Sequence, residues 1–379
     1  MMTKKTILIS CLLLLCAMSL RAQRIQVVDG DGTPIPYVTV TTTQGKYIAS
    51  TDIDGWIESV GENTTIHLSQ VAYKPLTIAV ADINDGRITL DEAGYDLPEV
   101  VVKPKDLLYC QTYFRDVYID DDGPIYYRAG VIDNAYDIAK KEVSAKSHHL
   151  SRAQSGFWKA LYSSTSGQYD KFARLPEESY YDKMRELQQK GTITLTDAGN
   201  GRQIIADSIC QLGYIYWNAE ERTRTVSFNL STCRNHIKNK EKQEKAAKKG
   251  KTFVPDTVKQ QRTSTTIYQV YRTDSVGNSR TDDFVMSQLT VIGRHRHSGT
   301  EFLIQVQSYA TDYAYIDKKE YKQQRKDNEV DMNIDELRRF EKVNKIPPLA
   351  PNIQEQINKF IDKDYRKKKK GKKGTVLLM

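Results

Sequence analysis

From Arg24 to Val102 apolar and polar positions alternate in short runs broken by turn residues. Ile25 to Val27 leads into Asp29-Gly30-Asp31-Gly32, Pro34 to Thr43 alternates, and Gly45 separates that run from Tyr47-Ala49-Thr51. Asp52-Ile53-Asp54-Gly55 is a further turn, followed by apolar runs at Trp56–Ser59, Thr65–Leu68, Leu76–Val80 and Arg87–Leu90. A period of two with a turn every 8 to 12 residues or so predicts an all-β sandwich. Its expected core is Ile25, Val27, Val38, Val40, Ile48, Ile57, Ile66, Leu68, Ile78 and Ile88, one apolar face per strand.

The pattern lengthens further along the chain. Ile204–Trp217, Thr223–Leu230, Thr263–Arg272, Asp283–Gly293 and Glu301–Tyr315 are rich in β-branched and aromatic residues with partial alternation, and predict long antiparallel strands. Helices are predicted at Pro176–Lys190, with Tyr180, Met184 and Leu187 on one face and Gly191 past the end, and at Ile334–Val343 and Asn352–Ile361. No element is assigned between Val102 and Pro176. The fold class expected is mainly β with α+β: a transthyretin/Ig-like N-terminal sandwich followed by an antiparallel-sheet-rich α+β domain.

The segment before the sandwich changes how charge is read. Lys4 and Lys5, the apolar run Ile7–Leu20 and the small residue Ala22 have the order of a secretory signal peptide, with Gln23 as the new N-terminus. The organisation expected is a signal peptide over 1–22, the sandwich over 23–102, the α+β domain over 103–361 and a Lys-rich tail over 362–379. Export would leave Cys110, Cys210 and Cys233, too few and too widely spaced for a disulfide framework; one bridge, most simply Cys210 with Cys233, remains open. The chain carries 56 Lys+Arg against 48 Asp+Glu, net +8. That excess sits in two segments, Lys238–Lys251 at net +5 and Lys363–Lys373 at net +7. Both are expected to be exposed, the first as a solvated loop, and both suit an anionic membrane or polysaccharide surface. The predicted sandwich has four basic against twelve acidic residues, which excludes nucleic-acid binding by that domain.

The residues of the first domain carry a family likeness. Val28-Asp29-Gly30-Asp31-Gly32-Thr33-Pro34-Ile35-Pro36-Tyr37-Val38-Thr39-Val40, the turn Thr51-Asp52-x-Asp54-Gly55, Val71-Ala72-Tyr73 and the closing Leu97-Pro98-Glu99-Val100-Val101-Val102 resemble the carboxypeptidase regulatory-like domain. That resemblance covers roughly 80 residues, about the length one sandwich needs. It implies a transthyretin-type β-sandwich of the kind found near the N-terminus of envelope proteins in Bacteroidetes-type bacteria. It implies no catalytic residues. One departure is Val71-Ala72-Tyr73, where a Gly-Tyr pair is usual.

The search for chemistry is largely negative. GxSxG, HExxH, Walker and Rossmann patterns are missing from the sequence. His295 and His297 would share one face of a strand, with Glu301 nearby, but spacing supplies no third zinc ligand and Arg294 and Arg296 flank the pair. His148 and His149, being adjacent, point apart. Asp52 and Asp54 precede Gly55 as turn residues, without the later ligands of an EF-hand. No residue is therefore assigned as catalytic, cofactor-binding or metal-ligating, and no cofactor is expected. The leading expectation is an exported envelope protein, in the periplasm or at the outer-membrane surface, with a non-catalytic binding or adaptor role. Its alternatives are a periplasmic lipid or lipoprotein carrier built on a curved antiparallel sheet, and a hydrolase with an unrecognised site. Residues Gln23–Lys103 are expected to fold by themselves, which a single cooperative thermal transition of that segment would demonstrate and its absence would refute.

Overall fold

The computed structural model of the chain describes residues 24–57, 60–61, 64–94, 105–120, 123–153, 170–208, 210–252, 263–273, 283–294, 299–327 and 332–359. The expected signal peptide, the closing motif at 97–102, the pair His295 and His297, and the Lys-rich tail lie outside the described residues. Two small sheets face each other in the first domain. β1 (Ile25–Val28) lies between β4 (Trp56–Ile57) and β7 (Arg87–Thr89), antiparallel to the first and parallel to the second. The second sheet is antiparallel, ordered β3 (Tyr47–Ser50), β2 (Thr39–Thr42), β5 (Thr65–Gln70), β6 (Tyr73–Ala79). Their inward residues form one core containing Ile25, Val27, Ile57 and Ile88 from one sheet and Val40, Ile66 and Leu68 from the other. Each such side chain contributes about 1.5–3 kcal/mol on burial. Ile48 and Ile78, expected at the centre, are half-buried at its edge. Gly55 has φ +76°, and a Cβ there would meet the Val27 carbonyl oxygen at 2.6 Å, so only glycine fits this turn.

The second domain is one ten-stranded antiparallel sheet. In chain order its strands are β8 (Leu107–Asp120), β9 (Gly123–Asp137), β10 (Glu142–Ala153), β11 (Thr194–Gly199), β12 (Arg202–Ala206), β13 (Gln211–Asn218), β14 (Thr223–Asn229), β15 (Thr263–Arg272), β16 (Phe284–Arg294) and β17 (Glu301–Ile316). Sequential strands pair as a meander, and the last, β17, pairs back onto the first, β8. The edges are β10 and β11. Ala145 of β10 and Leu195 of β11 pack against the same hydrophobic cluster, so one core runs from edge to edge across one face of the curled sheet, its concave face.

Inside the curl lies the chain between the edges: α1 (Asp170–Ala173) and α2 (Tyr180–Gln189). The short α1 ends among sheet polar groups rather than water. Ser308 Oγ and Thr112 Oγ1 donate to the Ala173 carbonyl at 3.0 and 3.3 Å, Ser287 Oγ donates to the Phe172 carbonyl at 3.3 Å, and Leu175 N–H donates to Asn134 Oδ1 at 3.1 Å. Buried Thr and Ser on the concave face thus satisfy the orphan carbonyls of the helix end, and buried Asn134 takes up the N–H of the chain that leaves it.

The convex face carries the sandwich and a C-terminal helical segment made of α5 (Ile334–Val343) and α6 (351–359); α4 (Lys318–Asp327) precedes them, and α3 (Leu230–Ala247) follows β14. α5 opens with a capping box: Asn333 Oδ1 accepts from Asp335 N–H and Glu336 N–H, and Glu336 Oε2 accepts from Asn333 N–H. Leu337, Ile346, Leu349, Ile353 and Ile357 bury against Tyr113, Val117 and Tyr309 of the sheet and Val71 of the sandwich. Arg115 is 4% exposed at the centre of this layer. Its Nη1 donates to the Pro347 carbonyl at 2.7 Å and its Nε to Gln307 Oε1, while Glu341, which accepts from the Tyr113 hydroxyl, supplies the counter-charge. Asn352 Nδ2 and Gln305 Nε2 donate to Thr41 Oγ1 at 3.0 Å and Thr39 Oγ1 at 2.8 Å, joining sandwich to helix and sheet.

Several expectations change. Ile204–Trp217 is two strands, because Asp207 Oδ1 accepts from Cys210 N–H at 2.9 Å and turns the chain between β12 and β13. Residues 238–247 of the Lys-rich segment are helix, not loop: Asn229 caps α3, and Lys, Glu, Gln and Ala are strong helix formers with Glu241–Lys245 and Glu244–Lys248 at i,i+4. The helix predicted from Pro176 begins at Tyr180, after Ser179 supplies the cap. β8, β9 and β10 are strands the pattern missed. Truncating Arg115 to alanine leaves the Pro347 carbonyl and Gln307 unpaired, and is expected to cost about 2–4 kcal/mol. Urea unfolding measures that loss, and hydrogen exchange should show 351–359 opening at lower free energy than the sheet.

Candidate functional site

α2 is positioned by its cap: Ser179, 1% exposed, accepts from Asp182 N–H at 3.1 Å and donates to Asp182 Oδ2 at 2.8 Å. The amphipathic period then turns Tyr181, Met184 and Leu187 inward. Tyr180, expected on that face, is half-buried with its ring 5.2 Å from that of Phe228. Between this helix and the concave face lies a cavity of about 610 Å³. Phe172, Leu175, Met184, Leu187 and Phe228 make its floor, with Leu230 and Cys233 from the first turns of α3. Lys171, Arg174 and Lys183 stand at its rim beside Glu177 and Glu178. Glu186, on the outer side of α2, accepts from both Lys183 and Lys190, and these two ammonium groups hold its carboxyl down to about 2.

The arrangement inside the curl is amphipathic. The lower wall offers apolar contact and almost no unmet polar demand, because Gln269 Oε1 already accepts from the Tyr271 hydroxyl and from Tyr180 N–H. The rim carries three cations, Lys171, Arg174 and Lys183, against the two carboxylates of Glu177 and Glu178. A ligand suited to both has an apolar chain and an anionic or strongly polar end.

A second cavity, of about 400 Å³, lies between the sandwich and the convex face of the sheet. The sheet contributes Tyr214, Tyr216, Tyr268, Arg202 and Arg272, and the sandwich contributes Tyr73, Asp29 and Glu92. Glu92 hydrogen-bonds across the junction to Glu221 of the β13–β14 turn. Desolvation first, then this hydrogen bond and the negative charge of Glu221, Asp29 and Asp31, push the Glu92 carboxyl up to about 7. Burial also raises the Asp29 carboxyl, against the pull of the Thr33 and Asp31 amides.

The residues weighed in the sequence are placed as follows. Asp29 and Asp52 are turn residues: Asp29 Oδ1 accepts from Asp31 and Thr33 N–H, and Asp52 Oδ1 accepts from Asp54 and Trp56 N–H. Glu301 is engaged by Arg294 at 2.7 Å. His148 and His149 do point to opposite faces of β10, His148 toward Asp133 with Nε2 3.4 Å from the carboxylate, His149 toward Phe114. Cys110, Cys210 and Cys233 are free thiols; Cys210 is exposed and Cys233 buried, so the bridge left open above is not formed. Among the described residues no group of three or more His, Cys, Asp or Glu is placed to hold a metal ion, and no helix is long and apolar enough to cross a membrane. The carrier alternative expects an apolar cavity lined by inward Tyr, Ile and Val of the strands between Ile204 and Tyr315, but those strands give the cavity beside α2 only Phe228, Gln269 and Ser287, and the junction cavity was missed. The apolar face of α2 was visible, but periodicity alone cannot distinguish a face that fills a core from one that walls a cavity.

No family model and no curated protein matches the sequence.

The Glu92 shift fixes a pH dependence. Between its ordinary value of 4.5 and about 7 the folded chain holds a proton that the unfolded chain has released. The folded state therefore binds more protons there, and its stability falls as pH rises through that window, then levels. The melting temperature is expected to drop less between about pH 5 and about pH 8 in Glu92→Gln than in the native chain, since only the native chain pays for ionising this carboxyl. Parallel profiles would show that the pair does not share a proton.

Proposed function

We propose that this chain is an exported carrier that holds the apolar chain of an anionic amphiphile between α2 and the concave face of the ten-stranded sheet. The observation that carries this reading is the cavity of about 610 Å³ with Phe172, Met184, Leu187 and Phe228 below and Lys171, Arg174 and Lys183 above. An up-and-down sheet curled around such a space can shield a chain from water while leaving its polar end at the rim. The role is one of binding, with no covalent step. Export rests on the Lys4-Lys5 and Ile7–Leu20 pattern, and an envelope location on the likeness of residues 23–102 to the carboxypeptidase regulatory-like domain. The sandwich then acts as the adaptor, and the Lys-rich tail draws the molecule toward anionic lipid or polysaccharide.

Calorimetric titration of the full chain with the series from octanoate to hexadecanoate tests the carrier reading. Each buried methylene is worth about 0.8 kcal/mol, so affinity should rise about fourfold per carbon until the cavity is filled, then level. Met184→Trp, which fills the floor, should abolish binding, whereas Lys183→Glu should weaken it only several-fold. Affinity independent of chain length, or unaffected by Met184→Trp, would exclude the reading.

A further inference from the structure

The cavity at the junction of sandwich and sheet has a different chemistry from the one inside the curl. Its walls are tyrosine: Tyr214 and Tyr268 are buried, and Tyr73 and Tyr216 are half-buried with surface open to the space. Its polar groups are planar and of both signs, with Glu92 and Glu221 at the mouth, Arg202 and Arg272 along the sheet, and the Asn218 amide between. The Arg202 guanidinium lies over the Tyr214 ring, 4.7 Å from its centroid. Its Nε faces the protein and donates to no group among the described residues, so the Nη groups are what the guanidinium can offer a ligand.

Charge narrows the class of that ligand. A cation would meet two guanidinium groups, and an anion would meet the Glu92–Glu221 pair with Asp29 and Asp31 behind it. An apolar ligand would strand all of them without hydrogen bonds. What both signs tolerate is a neutral molecule carrying many hydroxyls, each able to donate to a carboxylate and accept from a guanidinium. The tyrosine faces add a second demand, a flat patch of C–H groups to cover them. A pyranose ring has both, and about 400 Å³ lies within the range of small-ligand sites.

We propose that the junction cavity is a saccharide-binding site, in which a sugar ring stacks on Tyr216 while its hydroxyls bridge Glu221 and Glu92 on one side and Arg202 on the other. Because the site uses residues of both domains, its occupancy would also fix the sandwich against the sheet. It shares no residue with the cavity inside the curl and stands independently of the carrier reading.

The test is saturation-transfer NMR and calorimetry on the full chain with four trisaccharides: maltotriose, cellotriose, mannotriose and chitotriose. At least one is expected to bind. Tyr216→Ala should weaken that binding about tenfold through loss of stacking, while Tyr216→Phe, which keeps the ring, should retain it. Arg202→Lys should weaken it as well, because a single ammonium cannot reproduce the planar donor set. Thermal melts of the three variants separate these effects from misfolding. Binding of none of the four, binding untouched by Tyr216→Ala, or binding of trilysine in place of any sugar would overturn the proposal.

Discussion

Strands β8 and β17 come from opposite ends of the second domain, yet they pair in register from Ile119 with Leu303 to Leu107 with Ile316. This pairing joins the β8–β10 strands to the β11–β17 strands within one open sheet and leaves β10 and β11 as its free edges. Without it the sheet would be two separate antiparallel halves, each with one face in water. With it, the halves share a concave face and a convex face, and both are buried. Closing so long a loop costs little more entropy than closing a shorter one, but the contact must be found late and slows folding. The burial of both faces is what repays that closure.

The two faces then take different partners. The concave one accepts the chain between β10 and β11: side chains from β8, β16 and β17 satisfy the carbonyls where α1 ends, and Asn134 of β9 accepts from Leu175 N–H. That polar seating holds Phe172 and Leu175 in place beside Met184 and Leu187, at the border between the buried core and the cavity. The convex face accepts the sandwich through a C-terminal segment tied to Arg115. Because a buried guanidinium is costly without partners, Arg115 makes the docking of 346–359 specific as well as stable. The junction cavity lies where sandwich and sheet meet, walled by β12 to β16 on one side and by Asp29, Tyr73 and Glu92 on the other.

How far the sequence could be read depended on whether a strand has one wet face. In the sandwich, polar and apolar positions alternate because each small sheet has an inner and an outer side, so the core residues within its strands were identified, whereas Ile35, Val60, Val80, Ile83 and Leu90, buried outside the strands, were not. β15 was likewise predicted over its observed span, Thr263–Arg272. β8 and β9 defeated the pattern because their buried concave face carries Asp116, Arg128, Thr112 and Asn134. Asp116 and Arg128 pair with each other at 2.5 Å, and Asn134 donates to Thr112. Such residues look like surface positions until their partners across the sheet are known. The Lys-rich segment failed for the converse reason: its charge marked it as exposed, which α3 is over 238–249, but exposure and irregularity are separate properties, and its composition is that of a helix.

By itself, the sequence determined the local features: the turns at Asp29 and Asp52, the strand-borne part of the sandwich core, the apolar face of α2, and the division into an acidic first domain with basic segments further on. Each of these depends on residues close in the chain or on a period within one element. Only the tertiary structure decided that the long strands form one curled sheet, that α2 lines a cavity inside it, and that tyrosines and charges from two domains converge at a second one. Those outcomes depend on strand register and on contacts between residues far apart in sequence, and neither is encoded in any single stretch of chain.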